Sequence, residues 1–236
     1  MSEKIYLHSI PSTSDYLREN RGRYEDFSFV YADVQTAGHG RVGRTWLSEP
    51  NANLMFSLLI KNPIILAQGP KCTLVAATSV ARCIEALGIK NVSIKWPNDI
   101  YIGDKKAVGI LLEGSLPEYM IIGIGINVNQ MRFEGEYRIP PTSLALEAGK
   151  RIDLDAFRET VFASLERDFA AIPASFDAEL AYFAAHDYLY GKRVSADGKG
   201  SYIASGVNKE FALILRDGEN ILYNQSGEIR ILENNE

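Results

Sequence analysis

Little in this 236-residue sequence can cross-link and little can hold a metal: it contains two cysteines and three histidines. Cys72 and Cys83 fall in a helix predicted from Pro70 to Leu87, with Gly88 after its end and Leu74, Ala77, Val80, Ala81, Ile84 and Leu87 on one apolar side. Eleven helical residues put the sulfurs roughly 16 Å apart, beyond disulfide reach, so both are expected to be reduced. His8, His39 and His186 are scattered without metal-ligand spacing, which argues against a zinc site. Long apolar runs are missing too. Leu54–Ile60 and Tyr119–Ile126 are far shorter than the roughly 20 residues of a membrane helix, and the first nine residues hold no signal-type apolar stretch. No membrane partner and a cytoplasmic location are therefore expected. Positive charge is not in excess: 25 Lys and Arg face 30 Asp and Glu, a net charge of −5. That excludes a general nucleic-acid coat, so any phosphate chemistry needs a local basic site.

What is present is the composition of a folded globular chain, 46% hydrophobic and 23% charged. Up to about Gly149, strand-like segments interleave with the one clear helix: Phe27 to Val34, Leu54 to Ile60, Val92 to Lys95, Ile100 to Ile102, Val108 to Glu113 and Tyr119 to Asn127. The pattern predicts an α+β domain around a sheet. Asp153 is placed to cap a helix whose Leu154, Phe157, Val161 and Leu165 share a face, with helix continuing to Tyr188. From Leu189 the texture changes to short β-prone runs separated by Asp197-Gly198, Asp217-Gly218 and Ser226-Gly227, which predicts hairpins of a small barrel. The division is placed between a domain of residues 1–188 and one of residues 189–236. Sheet-type sequence begins at Ile5, which leaves no room for an N-terminal helix-turn-helix module.

Four segments carry chemistry. Gln35-Thr-Ala-Gly38-His39-Gly40-Arg41-Val42-Gly43-Arg44-Thr-Trp46 follows an apolar strand. Its glycines allow tight turning and close approach of N–H groups to an anion, and Arg41 and Arg44 add forked donors. It lacks the Gly-Lys-Ser/Thr ending of a P-loop and the spacing of a dinucleotide fingerprint; a solvated surface turn fits it equally well. In Lys95-Trp-Pro-Asn-Asp99, a lysine at a strand end either aims its ammonium inward at developing negative charge or snorkels outward, with Trp96 as core. In Gly123-Ile-Gly125-Ile-Asn127, two glycines on one strand face leave a flat strip for a planar group such as an adenine, or for a closely packed helix. Ser12-Thr13-Ser14-Asp15 reads as a helix cap whose hydroxyls are also suited to a polar small molecule.

Together and in this order, the four segments resemble the biotin protein ligases, from about Ser9 to the C-terminus. The most specific part is Lys95-Trp-Pro-Asn-Asp99 with Gly109-Ile-Leu downstream. The resemblance implies a catalytic domain of the fold shared with class II aminoacyl-tRNA synthetases and lipoate ligases, followed by an SH3-like barrel. It implies biotin and ATP as substrates with Mg²⁺, biotinyl-5′-AMP as intermediate, and a lysine of a biotin carboxyl carrier domain as acceptor. Lys95 and Arg41 match the catalytic positions. Ser12, Thr13, Ser14, Gln35, His39, Gly40, Arg41, Lys95 and Gly109 match the biotin site, and Gly38, Arg41, Arg44, Trp46, Lys95, Lys106, Gly123, Gly125 and Asn127 the nucleotide site. His39 and Val42 stand where the family's loop is commonly basic, Ser14 where it has Asn, and Leu232 where it often carries a basic residue near the last strand's end. Operator DNA is not an expected partner. Family members commonly dimerise by pairing sheets edge to edge, although no long exposed strand is evident in the sequence. A lipoate ligase shares the fold, but the Lys-Trp-Pro-Asn-Asp run and the Ser-Thr-Gln set favour biotin; retention of Lys95 and Arg41 speaks against a non-catalytic sensor.

Overall fold

Alternation of side chains along β-strands decides where the cavity of this protein can lie. The computed structural model describes residues 3–43, 45–46, 49–135 and 137–232, with Val42 described by its backbone alone. Strand β1 (Lys4–Ile10) runs through helix α1 (Thr13–Asn20) into β2 (Phe29–Gln35), which pairs parallel with it. The remaining strands of the main sheet are antiparallel: β3 (Leu54–Ile60), β4 (Val92–Lys95), β5 (Asp99–Ile102), β6 (Lys105–Ser115) and β7 (Tyr119–Ile126). The order is β1-β2-β3-β7-β6-β5-β4.

One face of this sheet carries the main core. Short α2 (Pro63–Leu66) leads into α3 (Lys71–Ala86), which is buried without interruption from Cys72 to Ala81 and packs against α5 (Leu154–Ala171) and α6 (Phe176–Ala185), while α4 (Leu144–Ala148) precedes them. Phe29, Phe56, Ile122 and Ile124 face this layer, where the Phe29 and Phe162 rings stack at 4.2 Å between centroids. The opposite face carries α1 with a smaller cluster of Leu17, Val30, Leu59, Tyr119 and Ile121. Because period-two alternation sends Ile121, Gly123 and Gly125 to that second face, the space left by the two missing side chains opens beside α1.

Two expectations are corrected. Helix does not continue to Tyr188: α5 stops at Ala171, Ile172 takes an extended conformation (ψ 148°) before Pro173, and α6 starts at Phe176. A proline disfavours helical backbone in the preceding residue and cannot donate to the turn behind it. An exposed strand does exist: β1 is an outer strand of the main sheet, with Tyr6 half-exposed. Its parallel partner β2 follows in sequence, so nothing local marks β1 as an edge. Both cysteines are buried and free, as expected, and burial pushes the Cys72 thiol up to about 12. Among the described residues no helix is long and apolar enough to cross a membrane.

The C-terminal sheet comprises β8 (Arg193–Ala196), β9 (Lys199–Val207), β10 (Leu213–Asp217), β11 (Asn220–Asn224) and β12 (Ile229–Ile231), all antiparallel in the order β11-β10-β9-β8-β12. Asp197 and Gly198 turn the β8–β9 hairpin with φ of 49° and 73°, the left-handed region that tight hairpins demand. This sheet is fastened to the strand that carries Lys95. Ile94 exchanges backbone hydrogen bonds with the 186–188 segment at 2.7 and 3.0 Å, and the buried Trp96 donates its indole N–H to the Phe211 carbonyl at 2.8 Å. Trp96→Phe keeps most of the packing and strands that carbonyl. It is expected to cost about 1–3 kcal/mol, read as a lower urea midpoint; an unchanged midpoint would show the bond to be unimportant.

Candidate active site

A cavity of about 370 Å³ opens on the α1 side of the main sheet, within the range of small-molecule sites. Its polar end is set by α1. Ser12 caps that helix by accepting from Asp15 N at 3.3 Å, so the capping role holds for Ser12. Thr13 and Ser14 then point into a buried network. Gln35 Oε1 accepts from Thr13 N and Oγ1 at 2.8 and 2.9 Å, and the Thr13 and Ser14 hydroxyls each lie 2.8 Å from Ser57 Oγ. Ser57 was missed by sequence reasoning. Its signal was a single hydroxyl within the otherwise apolar strand Leu54–Ile60, every residue of which is buried. Gly123 lies opposite Ser57 in register, and a Cβ there would approach Ser14 Oγ to 2.7 Å. The missing side chain at 123 thus makes room for a hydroxyl.

The flat strip lies one step further along. Gly125 pairs with Gly109, and a Cβ at either would strike the Trp46 indole, at 2.5 Å from Gly125 and 2.9 Å from Gly109. A planar group does rest on this strip, and it is the protein's own tryptophan. Trp46 Nε1 is buried there without an acceptor among the described residues, an arrangement that costs free energy and that a buried indole usually avoids. Asn127, at the end of the strip, is 4% exposed and donates Nδ2 to the Thr142 carbonyl at 3.0 Å.

The cationic end is built on β4, β5 and the loop. Lys95 closes β4 opposite Asp99 and is 7% exposed, so its side chain is directed inward. Burial lowers its pKa from 10.5 to about 8, with Asp99 opposing the shift and Arg138 and Lys106 adding to it. Lys106 Nζ contacts Asp99 Oδ1 at 2.7 Å and lies 5.8 Å from the Trp46 ring. Arg41 Nη1 donates to Asn98 Oδ1 at 3.1 Å, and Nη2 to the Gly227 carbonyl at 2.9 Å. Asn98 is itself fixed by donating to the Ile110 carbonyl at 2.6 Å.

The loop closes on itself through an His39–Thr45 bridge and the Trp46 N to Gly38 O hydrogen bond, with Gly40 on the cavity wall. A Cβ at Gly38 would meet Gln35 Nε2 at 3.0 Å and the Trp46 carbonyl at 3.1 Å. His39 lines the cavity but is turned toward carboxylates, 3.4 Å from Glu113 Oε2 and 3.9 Å from Asp15 Oδ2; Arg18 bridges the same two groups. The structure therefore brings Ser12, Thr13, Ser14, Gln35, His39, Gly40, Arg41, Trp46, Lys95, Lys106, Gly109, Gly123, Gly125 and Asn127 to one cavity wall. Gly38 stands behind it, and Arg44 lies outside the described residues. Sequence reasoning also missed Arg138, Gly227 and Glu228, which complete the wall from a distant loop and from the C-terminal sheet.

Residues 6–127, which span both the hydroxyl network and the lysine, match the model of the Biotin/lipoate A/B protein ligase family. The chain is 38% identical over 172 residues to the bifunctional ligase/repressor BirA of Bacillus spizizenii, covering 70% of this chain and 53% of that protein. To BirA of Escherichia coli it is 32% identical over 242 residues, covering 95% of this chain and 73% of the relative. The chain spans about half the length of the Bacillus relatives it matches. A solved biotin protein ligase from Aquifex aeolicus, in complex with biotin and ATP, superposes with a TM-score of 0.87 at 30% identity, covering 98% of this chain and 99% of that one. A chain that matches this domain model over half its length, a ligase/repressor at 32% identity over nearly its whole length and a solved biotin protein ligase from end to end belongs to the biotin/lipoate A/B protein ligase family, on its biotin protein ligase side.

Proposed function

We propose that this protein activates biotin with Mg-ATP and transfers it to a lysine of a biotin carboxyl carrier domain. The observation that carries the reading is the meeting of Lys95 and Arg41 over one cavity whose other end is a satisfied Ser-Thr-Gln network. A ureido ring needs donors and acceptors held in fixed geometry inside an otherwise apolar pocket, and Thr13, Ser14, Gln35 and Ser57 supply both kinds. In the first step a biotin carboxylate oxygen attacks the α-phosphorus. The bond from that phosphorus to the bridging oxygen breaks, and pyrophosphate departs with its electron pair. Two anions must approach, so the barrier is dominated by positioning and charge neutralisation. Lys95 lines the same cavity, buried beside Asp99, Arg138 and Lys106, and its ammonium bridges carboxylate and α-phosphate in this reading. Arg41 exchanges Asn98 and Gly227 for the phosphate of the intermediate, and Lys106 assists at the nucleotide.

Adenine and the Trp46 indole cannot share the Gly109–Gly125 strip. Nucleotide binding therefore displaces Trp46, which leaves a position where its N–H has no acceptor among the described residues. The two cavity carboxylates, Asp99 and Glu228, are both ion-paired. Mg²⁺ bound with the nucleotide would supply neutralisation of phosphate charge, with Asp99 as the carboxylate beside Lys95 and Lys106 that faces it. In the second step the carrier amine attacks the biotinyl carbonyl carbon, AMP leaves and the amine loses a proton.

Incubation with biotin, Mg-ATP and a carrier domain should add one biotinyl group to the carrier by intact mass, and no addition would refute the reading. Lys95→Gln should reduce biotin-dependent pyrophosphate release by at least about 100-fold, whereas an effect below tenfold would remove Lys95 from the chemistry. The ammonium is the working form, and it is lost as pH rises through about 8 in the free protein. The biotin kcat/KM should thus fall above about pH 8; a profile flat to pH 10 would contradict this.

A further inference from the structure

Among the described residues, Arg138 is the one cavity cation that neither the sequence motifs nor the proposed chemistry uses. It sits two residues before the Pro140 carbonyl that accepts from Lys106 N at 2.9 Å, which places it beside Lys106 on the nucleotide side of the cavity. Its charge is felt by Lys95. Its partner comes from the other sheet: Arg138 Nη1 lies 2.7 Å from Glu228 Oε1. Glu228 is held rigidly, since its N–H donates to Asp197 Oδ1 at 2.7 Å and its carbonyl accepts from Asp197 N at 2.8 Å. The same carboxylate also binds Arg230, whose Nη2 lies 2.9 Å away. Arg138 can therefore leave without stranding a bare carboxylate, and an ion pair with a half-exposed arginine is weak and readily exchanged.

We propose that Arg138 is a nucleotide-binding residue of this protein, held in reserve by Glu228, and that it moves from Glu228 to the β- and γ-phosphates when Mg-ATP enters. The inference rests on the ligase reading above. A guanidinium fork matches phosphate oxygens better than a single shared carboxylate does, and the polyphosphate carries more charge than Glu228. The exchange also gives Glu228 a defined effect: it competes with the nucleotide for Arg138. A purely structural clasp between the two sheets would have no such effect, because either half of the pair would then matter equally.

The test is equilibrium titration with Mg²⁺ and α,β-methylene ATP, which binds without reacting, alongside titration with biotin. Arg138→Gln should weaken the nucleotide about 10- to 100-fold, the scale of a lost charge-assisted pair, and leave biotin affinity within about twofold. Arg138→Lys, which keeps the charge and loses the fork, should recover part of the loss. Glu228→Gln should leave nucleotide affinity equal or raise it, since the competitor is removed. Inorganic pyrophosphate should lose affinity for Arg138→Gln in parallel with the analogue, while AMP should not. Unchanged nucleotide binding in Arg138→Gln, equal weakening by Glu228→Gln, or a matching loss of biotin affinity would overturn the proposal. A wild-type protein that binds the analogue but makes no biotinyl-AMP would sink the ligase reading alone, and the Arg138 comparison would still be decided.

Discussion

A lysine ammonium kept out of water is the constraint around which this molecule is arranged. Lys95 ends a strand whose neighbours Ile94 and Trp96 are buried, and that strand is held on its outer side by the 186–188 segment and by the Phe211 carbonyl. Removing a cation from water disfavours its charged form, and the carboxylates of Asp99 and Glu228 offset only part of that effect, because Arg138 and Lys106 oppose them. An isolated buried ammonium is a poor contributor to stability. It is well suited to a cavity whose occupants are anions, because they supply the neutralisation that the protein withholds.

The other charges of the cavity follow the opposite rule. Arg41 is satisfied by Asn98 and Gly227, Arg138 by Glu228, and His39 lies beside Glu113 and Asp15. In the free protein these groups are occupied by internal partners, and in the proposed reaction binding would exchange those partners for phosphate oxygens. Trp46 fits the same pattern on the apolar side, filling the glycine strip with an indole whose N–H has no acceptor among the described residues. The glycine strip is thus filled without its occupant being fully satisfied. That combination favours displacement by a ligand carrying both a flat base and phosphates.

Much of this was legible in the sequence where the signal was local. The Leu54–Ile60 and Val92–Lys95 strands were read with the bounds observed, and the long helix to within a residue at each end, because apolar runs and Pro-Gly punctuation fix them without reference to distant contacts. The motif residues were also local, and fourteen of them line the cavity. What failed was non-local or subtle. Ser57 is one hydroxyl in an apolar core strand, and its role depends on Gly123 and α1, which lie far from it in sequence. Arg138, Gly227 and Glu228 lie about 100 to 190 residues beyond Arg41; the pairing of Lys106 with the Pro140–Pro141 segment brings the first to the wall, and the fastening of the C-terminal sheet to β4 brings the other two. The glycine strip was foreseen, but its division between a hydroxyl at Gly123 and an indole at Gly125 depended on which neighbour faced each position.

The direct test of the central claim is the ionisation of Lys95 itself, followed by the NMR shift of its side-chain nitrogen through a pH titration, with Lys95→Gln used for assignment. The account predicts a midpoint near 8 in the free protein and a clear rise when biotin and α,β-methylene ATP are bound together, since two anions then favour the ammonium. A midpoint near the ordinary lysine value of 10.5 in the free protein, unmoved by ligands, would contradict it.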